Sequence, residues 1–329
     1  MRPPVVLAAP YAWPGAAAPE GYGRYVNPTW SALESALGAL EGGEALVFAS
    51  GMAAIDAVLR AVAPPPARLV APSDGYYTLR HLAPHATLVP SDTDAYVEAV
   101  GGAALVWIET PSNPLLDVVD VAAVCEAAHA AGAVVAVDNT VATPLGQSPL
   151  ELGADFSVSA GTKGLSGHSD VLYGTVATRD GDLAQRVLTV RSRAGAILGP
   201  FEAYLAYRSL ATLELRVARS SETALAIAEA LRRRGLPTHH PSFDEIAASQ
   251  MNHFGPLVSF DLGSEAAAAE FFARAELVAE ATSFGGVHTT AERRARWGTD
   301  AVGPGLIRLS AGIEDTDDVV ADVLGAIPA

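Results

Sequence analysis

The chain has 329 residues, half of them apolar, and a formal net charge of −16. That length suits two domains, the apolar share is ample for a buried core, and the acidic balance argues against nucleic-acid or anionic-membrane binding, which needs a basic footprint. The single cysteine, Cys125, excludes an intrachain disulfide framework, and no run of about 18 apolar residues marks a membrane span.

The N-terminus, MRPPVVLAAPYAWPG, has prolines where a signal peptide needs an unbroken apolar core, so the cytoplasm is the default location. Residues 1–27 read as an extended, Pro- and Gly-rich arm. A helix starts at Pro28 with Asn27 as its N-cap, carries Trp30, Leu33, Leu37 and Leu40 at helical spacing, and stops at Gly42-Gly43. From there apolar strand runs and helices alternate. ALVFA, RLVAP, ATLVP, ALVWIE, AVVAVDNT, ADFSVSAG and VLYGTVAT read as strands; SGMAAIDAVLRAVA and VAAVCEAAHAAG read as helices, with Cys125 as a small core residue of the second. That alternation predicts an α/β fold with a mostly parallel sheet covered on both faces. One long helix is expected from about Pro200 to Arg234, followed by a looser segment. Strands at PLVSFDL and LIRLSAG and helices at SEAAAAEFFARAE and DTDDVVADVLGAI then predict a smaller C-terminal α+β domain. The expected division is an arm at 1–27, a large domain at 28–214 and a small domain at 215–329.

Ligands of open α/β sheets bind at the carboxyl ends of strands, and there the chain places reactive groups. Ser50-Gly51-Met52 open a helix after ALVFA, where free N–H groups and the helix dipole attract an anion. Asn113 follows ALVWIE, Asp138-Asn139-Thr140 follow AVVAV, and Thr162-Lys163 follow ADFSV. Singly, each has a plain structural reading: Asp138 as a turn cap, Lys163 as a solvated surface residue, Ser50-Gly51 as an ordinary helix start. Together on one rim they suit pyridoxal phosphate. That cofactor needs a lysine for a Schiff base, a phosphate cradle, and a carboxylate that keeps its ring nitrogen protonated. A P-loop fails, because the order is Gly161-Thr162-Lys163-Gly164, and no G-x-G-x-x-G opens a helix. No zinc ligand spacing occurs; Pro84 separates His81 from His85.

YGRYVNPTWSALESALGALEG, FASGMAAI, IETPSNPLLDVVD, VVAVDNTVATP, SAGTKGLSGHSD, SFGGVH and IRLSAGIED, in that order from Tyr22 to the end, resemble the Cys/Met-metabolism pyridoxal-phosphate enzymes. These include cystathionine γ-synthase, cystathionine γ- and β-lyases and methionine γ-lyase. The resemblance implies a fold-type I, aminotransferase-like architecture and a homotetramer built from two dimers with shared active sites. It implies that Lys163 holds the cofactor and shuttles protons, that Asp138 pairs with the ring nitrogen, and that Gly51, Met52 and Thr162 bind the phosphate. Tyr22 and Arg24 would reach the phosphate of the neighbouring subunit. Glu109 and Asn113 match E-[ST]-P-x-N-P, with Asn113 near both cofactor and substrate. Arg308 would clamp the substrate α-carboxylate, with Ser283 beside it. Tyr76 would stack on the ring and handle leaving-group protons.

The chain departs from the family pattern at several positions. Ala160 stands where a serine is usual three residues before the lysine, and Ser159 lies one residue earlier, so either a phosphate hydrogen bond is lost or a local shift brings Ser159 to the phosphate. Tyr77-Thr78 follow Tyr76 where Gly-Gly-Thr is usual. Thr282 replaces a glutamate common in γ-acting members, at the substrate's edge, and the arm before Tyr22 is short. The expected activity is a γ-lyase on a sulfur-containing amino acid, L-cystathionine first, with γ-synthase and methionine γ-lyase as alternatives. A lapsed member with a binding role is the alternative from another class, motivated by Ala160 and the short arm.

Overall fold

The computed structural model describes residues 3–11 and 21–328. The helix Pro28–Glu41 begins where the Asn27 side chain accepts from Thr29 N, and Gly42 ends it in the left-handed region at φ 72°. Trp30, Leu33 and Leu37 form its buried face. The described part of the arm is tied to this helix: Val6 N donates to Thr29 Oγ1 at 2.8 Å, and Asn27 Nδ2 to Val6 O at 2.8 Å.

The large sheet contains β1 (Glu44–Phe48), β2 (Leu69–Pro72), β3 (Thr87–Val89), β4 (Leu105–Glu109), β5 (Val134–Asp138), β6 (Phe156–Ser159) and β7 (Gly174–Thr178). Their order is β1-β7-β6-β5-β4-β2-β3, and β7 alone runs against its neighbours. Helices cover both faces, which explains the near-continuous apolar strands. In β4, Leu105 and Trp107 enter the core under the helix Gly51–Val62, while Val106 and Ile108 enter the core under the helix Val121–Ala130. Glu109 lies opposite Asp138, and Asp138 opposite Val158, so the carboxyl ends of β4, β5 and β6 are adjacent.

The single long helix expected from Pro200 is two helices, Pro200–Leu210 and Leu213–Arg233. The break has a local cause. The Ser209 carbonyl accepts from Arg216 Nη2 at 2.9 Å and from Thr212 Oγ1 at 3.3 Å, so it is taken by side chains at the point where a continuous helix would use it. The looser segment also holds a short helix, Glu245–Gln250. Val217 packs in the core of the large unit, whereas Ala224, Ile227 and Leu231 of the same helix pack in the second core. That second core lies against a five-stranded sheet of β8 (Thr238–His239), β9 (Leu257–Asp261), β10 (Ala279–Glu280), β11 (Thr290–Arg293) and β12 (Leu306–Ser310), ordered β10-β11-β12-β9-β8. Among the described residues no helix is long and apolar enough to cross a membrane.

Candidate active site

A cavity of about 640 Å³ lies where the ends of β4, β5 and β6 meet the smaller sheet. Its lining includes Gly51, Met52, Tyr76, Asn113, Asp138, Thr162, Lys163, Thr282, Ser283 and Arg308. Sequence-distant residues from both units thus share one space.

At one part of the wall the helix Gly51–Val62 begins. Ser50 caps it by accepting from Ala53 N at 3.1 Å, and the first amides of such a helix have no partner within it. Gly51 allows a close approach here, since a Cβ would lie 2.8 Å from the Ala160 Cβ. Asp138 and Glu109 stand side by side on β5 and β4. Burial raises the pKa of Glu109 well above its ordinary value, and the neighbouring Asp138 raises it further. Burial also raises Asp138, against the two hydrogen bonds it accepts from the amide and hydroxyl of Thr140. Two buried carboxyls with no cation against them among the described residues are a natural place for a protonated ring nitrogen.

Lys163 Nζ donates to Ser283 Oγ at 2.7 Å and sits 5.1 Å from the Phe284 ring centroid. Burial, then Arg308, lowers its pKa to about 8. Ser283 has φ 82°, which lets one residue face both cations: its Oγ meets Lys163 and its carbonyl accepts from Arg308 Nη2 at 2.9 Å. Arg308 Nη1 donates to Asn113 Oδ1 at 2.7 Å.

Tyr76 and Tyr77 both line the cavity, with ring centroids 5.3 Å apart. Tyr76 N donates to Glu109 Oε2 at 2.6 Å. The Thr162 hydroxyl is engaged with the main chain of Tyr173, accepting from its N at 3.0 Å and donating to its O at 3.2 Å. Ser159 is a correction. It does not line the cavity; strand alternation turns its side chain to the opposite face, where Oγ is buried without a partner among the described residues. No local shift brings the Ser159 hydroxyl to the place of Ala160. Tyr22 and Arg24 lie outside this cavity: Tyr22 is 45 % exposed, and the Arg24 guanidinium stacks 4.5 Å from the Tyr25 ring centroid and donates to Ser192 O.

The sequence profile of the Cys/Met metabolism PLP-dependent enzymes matches residues 2–328. The chain belongs to this family. It is 54 % identical to a Streptomyces coelicolor protein named "Putative cystathionine gamma-lyase", over 99 % of this chain and 88 % of that one. The crystal structure of an apo methionine gamma lyase from Micromonospora echinospora superposes with a TM-score of 0.91 at 39 % identity, covering 99 % of this chain and 93 % of that one. A cystathionine gamma synthase from Xanthomonas oryzae pv. oryzae, solved with cystathionine, gives a TM-score of 0.93 at 34 % identity, covering 99 % and 92 %. The family's fold, a mostly parallel sheet with a second, smaller sheet unit, is the fold of this chain.

The residues fit the family's cofactor: an amine of lowered pKa, a helix N-terminus, and buried carboxyls without a cation among the described residues share one cavity. Thr140, named in the sequence with Asp138 and Asn139, donates from Oγ1 to Asp138 and accepts from Ala160 N at 2.8 Å, so it joins β5 to the lysine loop. Other site residues were not singled out by sequence. Phe284, Arg294 and Trp297 also line the cavity. Arg294 and Trp297 lie in a charged stretch, AERRARWG, which carries no apolar periodicity to place it.

Proposed function

We propose that the chain is a pyridoxal-phosphate-dependent γ-lyase that converts L-cystathionine and water to L-cysteine, 2-oxobutanoate and ammonia. The observation that carries this reading is the meeting of Lys163, Asp138 and Arg308 in one cavity that opens onto a helix N-terminus. The 54 % identity to the Streptomyces coelicolor relative directs the choice among family activities.

Bound pyridoxal phosphate supplies the electron sink, through a ring kept protonated by Asp138. Gly51 and Met52 hold its phosphate with main-chain N–H groups, and Thr162 adjoins them. Lys163 would hold the cofactor, and its amine, when free, would take and return protons at the α- and β-carbons; the free amine's pKa of about 8 suits a base working near neutrality. Arg308 holds the α-carboxylate beside Asn113, Ser283 keeps the lysine amine in reach, and Tyr76 protonates the departing sulfur. Tyr22 and Arg24 complete the site of a partner subunit, so the active form is a homodimer, assembled further as a tetramer.

A second reading, methionine γ-lyase, is favoured by the lining. Among the described residues its only acidic side chains are Glu109 and Asp138, whereas the distal ammonium of cystathionine would be served by an acid. Thr282 sits where the family often has one. The deciding assay incubates the enzyme separately with L-cystathionine, L-methionine, and O-acylhomoserine plus cysteine, and identifies the products. Cysteine and 2-oxobutanoate from cystathionine support the first reading. Pyruvate from cystathionine, or turnover of methionine alone, overturns it. Purified protein that is colourless and takes up no cofactor would support a lapsed member.

A further inference from the structure

Arg308 is buried; both Nη atoms of its guanidinium are held by protein groups, while Nε has no partner among the described residues. Glu292 lies directly opposite it on the neighbouring strand, in the register Glu292 to Arg308. Glu292 Oε1 accepts from Arg308 Nη2, and also from Arg294 Nη1 at 2.7 Å. Its other oxygen accepts from Trp297 Nε1 at 2.8 Å. Arg294 is held in turn by Asp300, with Nη2 to Oδ2 at 2.6 Å. Glu292 is 1 % exposed and does not line the cavity, while Arg308, Arg294 and Trp297 do.

Two guanidiniums and two carboxylates thus form a buried, charge-balanced cluster. A buried carboxylate is costly unless its oxygens are fully engaged, and Glu292 has three side-chain donors. Burial alone would raise its pKa; Arg308, Trp297 and Arg294 outweigh that and hold it below the ordinary value. Arg308 Nη1 is committed to Asn113, and Nη2 to Ser283 O and Glu292. Glu292 is the only charged group among these three partners, so it fixes the plane of the guanidinium most strongly.

We infer that Glu292 is a positioning residue that orients Arg308 for the substrate α-carboxylate and, through Trp297 and Arg294, ties that orientation to the cavity wall. This rests on the reading of Arg308 as the carboxylate partner. Glu292 touches neither substrate nor cofactor; it acts through the three side chains that reach the cavity.

The experiment uses holoenzyme and two non-reacting amines, glycine and glycinamide, which differ in the carboxylate and have no β-carbon from which a group could leave. Binding is read from the absorbance of the bound cofactor. Wild type is expected to prefer glycine, with the difference in amine basicity cancelling when variants are compared. Glu292→Gln is expected to lower that preference about tenfold, with glycinamide binding and cofactor content unchanged, and Glu292→Asp is expected to recover part of it. A preference that is unchanged or increased in Glu292→Gln, or an equal loss for both amines, overturns the inference. A wild type without preference defeats the Arg308 reading itself, and the inference with it. Should the Gln variant not fold, Trp297→Phe removes one donor from Glu292 without changing any charge. It is expected to lower the preference about threefold, and no change there is equally fatal.

Discussion

Lys163 shows how a single side chain acquires its chemistry from its surroundings. An ordinary lysine is almost wholly protonated near neutrality. Here burial, Arg308 and Arg294 disfavour the charged form, Glu292 opposes them, and the net result is a pKa of about 8. The bare backbone around it has a packing reason as well. A Cβ on Gly161 would meet the Tyr173 ring at 2.2 Å, so no other residue fits before Thr162 while Tyr173 keeps its place. The lowered pKa gives a direct expectation for cofactor capture. Only the neutral amine attacks an aldehyde, so mixing apoprotein with pyridoxal phosphate is expected to give a capture rate that rises with pH through about 8 and levels off above it. Lys163→Ala is expected to form no covalent adduct at any pH. A capture rate still climbing steeply at pH 10 would mean that the amine keeps its ordinary basicity.

The loop after Lys163 is held by an element distant in sequence. Arg216, on the helix Leu213–Arg233, donates from Nη1 to Gly164 O at 2.7 Å and from Nη2 to Leu165 O at 3.2 Å and Ser209 O at 2.9 Å. It is buried, and its Nε donates to the Thr212 hydroxyl at 3.1 Å. Gly167, at φ 66°, leaves the space its guanidinium fills, since a Cβ there would lie 1.9 Å from Nη1. A lysine cannot span three carbonyls in this geometry. Arg216→Lys is therefore expected to lower unfolding stability by about 2–4 kcal/mol, on the scale of hydrogen bonds to charged groups, and to speed amide exchange at Ser166 and Gly167. Denaturant titration with hydrogen exchange checks it, and exchange confined to wild-type rates would show that the loop holds itself. No local pattern announces this clasp, and the same holds for much of the second sheet. β1, β2, β4 to β7, β9 and β12 were readable because both of their faces are buried, which writes apolar runs such as LVWIE and LIRLS; β3 was read from ATLVP although only Val89 of it is buried. β11, TAER, is a strand whose inward Glu292 serves Arg308, so its polarity hides it. β8 and β10 have two residues each, too few for any periodicity. Among the site groups, Lys163, Asp138 and Asn113 were legible because each ends or follows a clear strand. Arg294 and Trp297 reach the cavity from a 3₁₀ turn whose place is set by Glu292 and Asp300.

At the scale of the whole molecule, the cavity draws Lys163 and Asp138 from one core and Ser283 and Arg308 from the other, so its geometry depends on both units keeping their packing. One buried acid makes that packing sensitive to pH. Glu41 ends the helix Pro28–Glu41, 3 % exposed against the large sheet, and neither carboxyl oxygen has a hydrogen-bond partner among the described residues. Burial, opposed by the nearby Ser157 hydroxyl, raises its pKa from 4.5 to about 7. Below pH 4.5 the folded and unfolded chains both carry the proton, and Glu41 costs nothing. Between pH 4.5 and 7 the unfolded chain releases the proton while the folded chain keeps it, so stability falls as pH rises, by about 1.4 kcal/mol per unit. Above the folded pKa the loss levels off near a total of about 3 kcal/mol. Glu41→Gln keeps the shape and has no proton to lose. Urea unfolding is therefore expected to give the variant and wild type equal stability near pH 4.5 and a variant advantage of about 3 kcal/mol at pH 8. The comparison cancels every other titrating group, including Glu109 and Asp138, because both proteins share them. Curves that stay parallel from pH 4.5 to 8 would mean that Glu41 is ionised in the fold and that some group pays its charge.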